Sequence, residues 1–351
     1  MFSKRQFSIR CRRALFLALA AVCITTSFSS VMAQSSVIVV DAYNRKVHVA
    51  RQAGQKRPVG GLAKIVTTMV TLDWAEASKA GVNVLASVPD YATRIAGVAS
   101  PDLRPGDQVT VRDLIYATMM TSDNVAAITL GHFVGSDLLQ RLGRRGDPLE
   151  QFVKQMNALA QREGATGTRF MNPHGFENTR PLGGSTAADI ARVALYASAR
   201  PSFRFYTNQP SRTISVYRGG AKVNVTLRNT NQLLGVDRID GMKTGNTPAS
   251  GGCVVITAEK PATVLKQPDL SNVIFRHRMV VVVIGSADPF GEARSLLYQG
   301  WAPTISGSRQ DVPSPTKSRC SMTSRAAERH RAPRIPNTPE QHENRNPEQR
   351  R

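Results

Sequence analysis

Met279-Val-Val-Val-Val-Ile-Gly285 is an unbroken apolar run rich in β-branched residues. It is too short for a buried helix and apolar at both alternating positions, so it reads as a strand covered on both faces. A strand of that kind demands a sheet with further layers above and below it. Ser36-Val-Ile-Val-Val-Asp41 at the other end of the chain has the same character. Residues 46–50 follow it across a turn at Tyr43-Asn44-Arg45 and give a hairpin. Strands at both ends with helical periodicity between them predict a layered α/β sandwich.

The intervening helices announce themselves by period and caps. Leu62, Ile65, Val66, Met69 and Leu72 recur at helical spacing and predict a helix from about Gly61 to Ser78. Thr110 with Asp113 opens a second helix through Met119, and Thr186 with Asp189 opens one that runs to Ala199 and stops at Pro201. Between these, a polar break at Thr121-Ser122-Asp123-Asn124 precedes an apolar helix from Val125 to Val134, and Phe152–Arg162 is amphipathic. Beyond Pro201 the pattern turns to strands at 213–217 and 221–227 around Gly219-Gly220, then at 237–243, 253–258 and 279–285. Arg294–Trp301 closes the pattern as a short helix.

The chain divides into three segments: 1–33, 34–302 and 303–351. Lys4, Arg5, Arg10, Arg12 and Arg13 precede an apolar stretch from Ala14 to Ile24, and Val31-Met32-Ala33 offers a cleavage site before Gln34. This is the pattern of a signal peptide, and its apolar run is short for a membrane span. The chain is therefore expected to be exported, to the periplasm or another extracytoplasmic space. Arg12-Arg13 leaves the twin-arginine route open beside the general one. Valine before Cys23 argues against a lipoprotein anchor.

Of the net charge of +21, the leader holds +5, the 303–351 tail +5 and the body +11. A basic exported body favours anionic envelope polymers or membrane surfaces as partners and makes nucleic acid an improbable one. The tail is poor in large apolar residues and is expected to be disordered. After cleavage only Cys253 and Cys320 remain, and a buried free thiol at Cys253 is the simplest reading. The six histidines (48, 132, 174, 277, 330 and 342) show no paired helical spacing of the kind zinc peptidases use, so neither a metal nor another cofactor is expected. His174 reads as a structural turn residue.

Three strings carry chemistry: Gly61-Leu62-Ala63-Lys64, Ser122-Asp123-Asn124 and Lys243-Thr244-Gly245. The first opens a helix, the second breaks two helices and the third ends a strand. Positions three apart lie on one helix face, so a lysine three residues after a serine can take its proton once burial or neighbouring cations lower its pKa. Ser122 and Asn124 would relay protons and hold a substrate amide. Lys243 and Thr244 would bind a terminal carboxylate, and Gly245 would let a backbone strand approach. Ser314-Pro315-Thr316-Lys317 is a chance match, since its proline excludes a helix.

In order and context these strings resemble the serine-x-x-lysine, serine-x-asparagine and lysine-threonine-glycine motifs of penicillin-recognising serine enzymes. Arg57-Pro58-Val59, Leu103-Arg104-Pro105-Gly106-Asp107, Asn172-Pro173-His174-Gly175 and Ile239-Asp240-Gly241-Met242 narrow the resemblance to the low-molecular-mass D-alanyl-D-alanine carboxypeptidases. It covers about residues 36–302. The resemblance implies a β-lactamase/transpeptidase-like α/β sandwich, in which an antiparallel sheet flanked by helices joins the N-terminal hairpin to the C-terminal strands. A mostly helical lobe from about 80 to 200 would lie beside it. The extra β-rich domain of many relatives is not expected after Trp301.

The same resemblance implies peptidoglycan stem peptides ending in D-Ala-D-Ala as the partner. It places the oxyanion donors at the backbone N–H groups of Gly61 and Asn246. Glycine at 61 keeps that donor and lacks the attacking hydroxyl. The sequence therefore leaves open a binding protein with little turnover, an active serine-type carboxypeptidase, and a basic adhesion or scaffold module.

Overall fold

The computed structural model describes residues 34–97, 100, 102–178, 181–267 and 272–302. The leader read at 1–33, the tail at 303–351 and Cys320 lie outside the described residues. The described chain runs through β1 (Ser36–Asp41), β2 (Val47–Arg51), a 3₁₀ turn (Gly60–Ala63), α1 (Lys64–Ser78), β3 (Leu85–Ser87), α2 (Ala92–Ile95) and β4 (Gln108–Thr110). Then come α3 (Val111–Met120), α4 (Asn124–Arg141), α5 (Pro148–Arg162), α6 (Ala187–Ser198) and α7 (Pro201–Thr207). Strands β5 (Ser211–Arg218), β6 (Ala221–Arg228), β7 (Ile239–Thr247), β8 (Gly251–Lys266) and β9 (Asn272–Ser286) precede α8 (Pro289–Trp301).

The main sheet is antiparallel with the order β2-β1-β9-β8-β7. Its centre is the valine run, and alternation along that run decides which layer each side chain enters. Val280, Val282 and Ile284 join Ile38, Val40 and Val255 in the core shared with the helices. Val281 and Val283 point the other way and pack with Val37, Val39, Val254 and Ile256 against Ala293, Leu296 and Leu297 of α8. The sheet is thus covered on both sides, as its unbroken apolar run requires.

The helix caps form as read. Thr110 Oγ1 accepts the Asp113 N–H at 3.1 Å, and Thr186 Oγ1 accepts the Asp189 N–H at 3.0 Å. Four expectations need correction. The 213–227 hairpin is not part of the main sheet but pairs with β3 and β4 in a second antiparallel sheet of order β3-β4-β5-β6. Three-residue strands carry no readable period, so β3 and β4 passed unseen inside the helical lobe. The helix opened at Thr186 does stop before Pro201, but strands do not follow at once: Pro201 occupies the first turn of a further helix, α7, where a missing N–H costs nothing. The first helix is preceded by a 3₁₀ turn and becomes α-helical only at Lys64. Finally, β8 and β9 run well past the predicted 258 and begin well before 279. Among the described residues no helix is long and apolar enough to cross a membrane.

Candidate active site

An open cavity of about 880 Å³ is lined by Gly61, Lys64, Ser122, Asn124, Thr244, Gly245 and Asn246, with further walls from the Ser286–Phe290 corner. Three separate elements bring these residues together. Residues 60–64 enter α1, the 121–124 break joins α3 to α4, and β7 passes along the front. Residues more than 180 positions apart in sequence thereby meet at one point, because β7 is an edge strand of the main sheet and runs beside the start of α1. Of the predicted site residues only Lys243 is absent from the cavity wall. Its side chain is buried behind it, and Nζ donates to Thr244 O at 2.7 Å.

Lys64 begins α1 and is buried. Its Nζ donates to Asn124 Oδ1 and to His174 O, each at 2.7 Å. Asn124 is held in turn by donating from Nδ2 to Ala96 O at 2.6 Å. Burial lowers the Lys64 pKa to about 7, against the opposing pull of the Asp123 and Glu177 carboxylates. At neutral pH this amine is therefore half available as a base. Burial also holds Lys243 well below the ordinary lysine range, and the Lys64 charge adds to that. His174 is pushed down to about 3 by burial and then by Lys64, so it is neutral; its Nδ1 accepts the Phe176 N–H at 3.1 Å. It serves the turn that presents its carbonyl to Lys64.

Ser122 sits at φ +60°, a left-handed conformation that non-glycine residues seldom adopt. The residue after it, Asp123, caps α4 by accepting the Ala126 N–H at 2.9 Å and also accepts from Ser100 Oγ. The break is thus both a helix cap and a site element.

Gly61 and Gly245 of the cavity wall pack tightly against each other's elements. A Cβ on Gly245 would lie 2.8 Å from Gly61 N. A Cβ on Gly61 would lie 2.9 Å from Thr244 O, 3.0 Å from Ser122 Oγ and 3.3 Å from Gly245 Cα. Position 61 therefore faces Ser122 on one side and the β7 backbone on the other, at a separation that suits a residue without a side chain.

A family model described as D-alanyl-D-alanine carboxypeptidase matches residues 23–267, well over half of the chain. The chain belongs to the D-alanyl-D-alanine carboxypeptidase family. Among similar carboxypeptidase-family proteins, the D-alanyl-D-alanine endopeptidase of Pseudomonas aeruginosa is 30% identical over 231 residues, spanning 64% of this chain and 67% of that one. The D-alanyl-D-alanine endopeptidase of Escherichia coli K12 is 28% identical over 237 residues, spanning 66% and 69%. The solved Streptomyces K15 DD-transpeptidase matches in fold with a TM-score of 0.64 at 22% identity, over 76% of this chain and 97% of that one.

Motif reading missed two residues at this carboxypeptidase-family cavity, Thr230 on its wall and Glu177 beside it. Thr230 Oγ1 lies 2.6 Å from Thr244 Oγ1, while its backbone N–H donates to Met120 O at 2.9 Å. It ties β7 to the end of α3 beside Ser122. Glu177 accepts from Thr247 Oγ1 at 3.0 Å and brings a carboxylate toward Lys64. Neither residue carries a local signal, since each lies in an irregular polar stretch whose partner is distant in sequence. Cys253 is a buried free thiol on the cavity wall. Among the described residues no group of three or more His, Cys, Asp or Glu could hold a metal ion.

Proposed function

We propose that this family member is exported after cleavage near Ala33 and binds D-Ala-D-Ala-terminated stem peptides with little or no serine-peptidase turnover. The observation that carries the reading is Gly61. It stands three residues before the buried Lys64 and faces Ser122 and β7, in the place where the family resemblance puts the nucleophile. Lys64, with its pKa near 7, is equipped to take a proton, and position 61 has no hydroxyl to supply one. The peptide-binding parts remain: the Thr244 hydroxyl, the buried Lys243 amine behind it, and the Gly61 and Asn246 N–H groups as oxyanion donors. Residues 34–302 form the binding domain in this reading, and the basic 303–351 tail adds attachment to anionic envelope material.

A second reading is an active carboxypeptidase, and the lowered pKa of Lys64 favours it. A water in the space beside Gly61 could give up a proton to Lys64 and attack the D-Ala-D-Ala carbonyl. Without a serine, binding and oxyanion stabilisation would leave roughly 10³–10⁴ over the uncatalysed rate. Two of the similar proteins bear the name D-alanyl-D-alanine endopeptidase, which supports a D-alanyl-D-alanine bond as the target under this reading too.

The two readings are separated by titrating a D-Ala-D-Ala-terminated peptide calorimetrically while measuring D-alanine release. Saturable weak binding with negligible release is expected, along with no covalent adduct from fluorescent penicillin. Amidating the peptide's C-terminus should weaken binding about tenfold, because a charge-assisted pair is worth about 1.5–3 kcal/mol. Equal affinity for both peptides, or a denaturation-resistant penicillin adduct, would overturn the proposal.

A further inference from the structure

Two lysines from distant parts of the chain are buried at one cavity, and neither has a counter-ion. Lys64 opens α1 and Lys243 lies on β7, and each is 1% exposed. Lys243 pairs across the sheet with Val255, whose side chain belongs to the core shared with the helices. Paired residues share a face, so the Lys243 side chain enters the layer from which α1 rises. Both amines have neutral hydrogen-bond partners. Lys64 Nζ donates to Asn124 Oδ1 and His174 O, and Lys243 Nζ to Thr244 O, each at 2.7 Å. Among the described residues neither lysine makes an ion pair.

The acids that face them are committed elsewhere. Asp123 accepts from the Ala126 N–H and Ser100 Oγ, and Glu177 accepts from Thr247 Oγ1. Asp240, earlier on β7, pairs with Arg278, which also holds Glu259, and Arg204 of α7 lies against Glu259 as well. Asp288 on the far cavity wall caps α8 by accepting the Gly291 N–H. Arg57, beside Cys253, donates to Ile284 O. The remaining titratable groups of the wall are neutral: His174 is pushed down to about 3 by burial and then by the Lys64 charge, and burial pushes the Cys253 thiol up.

Two ammonium groups buried together without an anion repel each other, and each loses its hydration. Burial lowers Lys64 to about 7, and burial followed by the Lys64 charge holds Lys243 well below the ordinary lysine range. The two titrate as a unit, and near pH 8 the unit carries less than one positive charge.

We propose that the carboxylate subsite of this cavity stands largely uncharged in the free protein, and that a ligand's C-terminal carboxylate enters together with a proton that the Lys64–Lys243 pair takes from solution. Thr244 couples the two events. Its hydroxyl faces the cavity that Lys64 also lines, and its carbonyl holds the Lys243 amine. A carboxylate docked there supplies the counter-ion that the protein leaves out, and an opposite charge within about 4–6 Å favours the protonated amine. The amine lone pair gains the proton, the buffer loses it, and no bond of the ligand breaks. An amidated terminus brings no charge and draws in no proton. This linkage presupposes the peptide-binding reading, and its proton count is measured apart from affinity.

Binding that raises the pKa of an amine is favoured in full below the free value and loses that gain as pH rises towards the bound one. With the free value of Lys64 at about 7, affinity should fall above neutral pH. For one proton the fall reaches at most about tenfold per pH unit.

The test is calorimetric titration of the full chain with an N-acetylated peptide that ends in D-Ala-D-Ala and has no other ionisable group. It is run near pH 8 in phosphate and again in Tris, whose ionisation enthalpies differ, so the difference in apparent heat counts protons. Uptake of about one proton is expected for the carboxylate peptide and none for its amide. Affinity for the carboxylate peptide should fall at least about fivefold between pH 7 and pH 9, with that of the amide unchanged. Saturable binding without proton uptake would overturn the linkage and leave the peptide-binding proposal standing. No binding by either peptide would sink both. A second measurement needs no ligand: NMR titration of the free protein labelled with carbon-13 at lysine Cε. The two resonances, assigned by their loss in Lys64→Met and Lys243→Met, should titrate below about pH 9. Midpoints for both near the free-lysine value of 10.5 would refute an uncharged pair.

Discussion

Restoring a hydroxyl at position 61 tests the site most directly, and the geometry says what it will cost. In Gly61→Ser the new Cβ would stand 2.9 Å from Thr244 O and 3.3 Å from Gly245 Cα, against 3.4–4 Å for ordinary contact. Both of those neighbours are backbone, so strand β7 has to retreat by a few tenths of an ångström. The third neighbour, Ser122 Oγ at 3.0 Å, can rotate away. Inserting a group into such a space costs about 1–3 kcal/mol. For a domain of this size each kcal/mol lowers Tm by about 2–4 °C, so a drop of several degrees is expected.

Chemistry should return despite that strain. A nucleophilic serine is worth about 10⁶ in kcat in a triad enzyme. A misplacement near 1 Å forfeits about 10² of that, which leaves room for a gain of up to about 10⁴. The assay is covalent labelling by fluorescent penicillin together with D-alanine release, run beside the Gly61→Ser/Lys64→Ala double variant. The single variant should gain an adduct and release D-alanine at least tenfold faster than the parent, and the double variant should lose both. A folded Gly61→Ser protein without an adduct would refute the view that Lys64, Ser122 and β7 surround a competent nucleophile position. An unchanged Tm would refute the close approach of β7.

Lys64 gives a pH prediction. Its pKa is about 7 in the folded chain against 10.5 for a free lysine, so between those values the unfolded chain binds more protons and stability rises with pH. Measured by urea denaturation against Lys64→Met, the parent should gain up to about 1.4 kcal/mol per pH unit above about pH 7, with no change below it; a constant difference would sink the assignment. Asp73 is buried among Arg200 at 2.9 Å, Arg162 at 3.4 Å and the Tyr196 hydroxyl at 3.2 Å. Asp73→Ala leaves two partly buried guanidinium groups without their shared carboxylate and should cost about 2–4 kcal/mol, less than a fully buried pair because both arginines reach solvent. A denaturation midpoint equal to the parent's would show that the cluster contributes nothing.

Local and periodic features were legible before any coordinates. The caps at Thr110 and Thr186 involve partners three residues away, and the valine run states its own burial. The three short strings could be assigned to a helix start, a helix break and a strand end, because each lies on one element. Their meeting in one cavity was an inference from resemblance, and the fold shows the geometry that achieves it: an edge strand laid beside the first turn of α1. Pro201 marked the end of α6 correctly but gave no sign of α7, because proline stops one helix and starts another equally well and only packing decides whether the second forms. The short β4 strand forms on the edge that β5 offers, and β3 in turn forms on β4.

The chain's own order of residues determined that position 61 has no hydroxyl, that a lysine follows three residues later, and that a doubly covered sheet must form. Tertiary structure decided how near β7 comes to Gly61 and that Lys243 lies behind the cavity wall. It also decided that Thr230 and Glu177 belong to the site. The reason is range. Caps, periodicity and hydroxyl chemistry act over a few residues and are written in the local string. Burial, pKa and close approach depend on groups brought together from far along the chain, and only packing determines which groups those are.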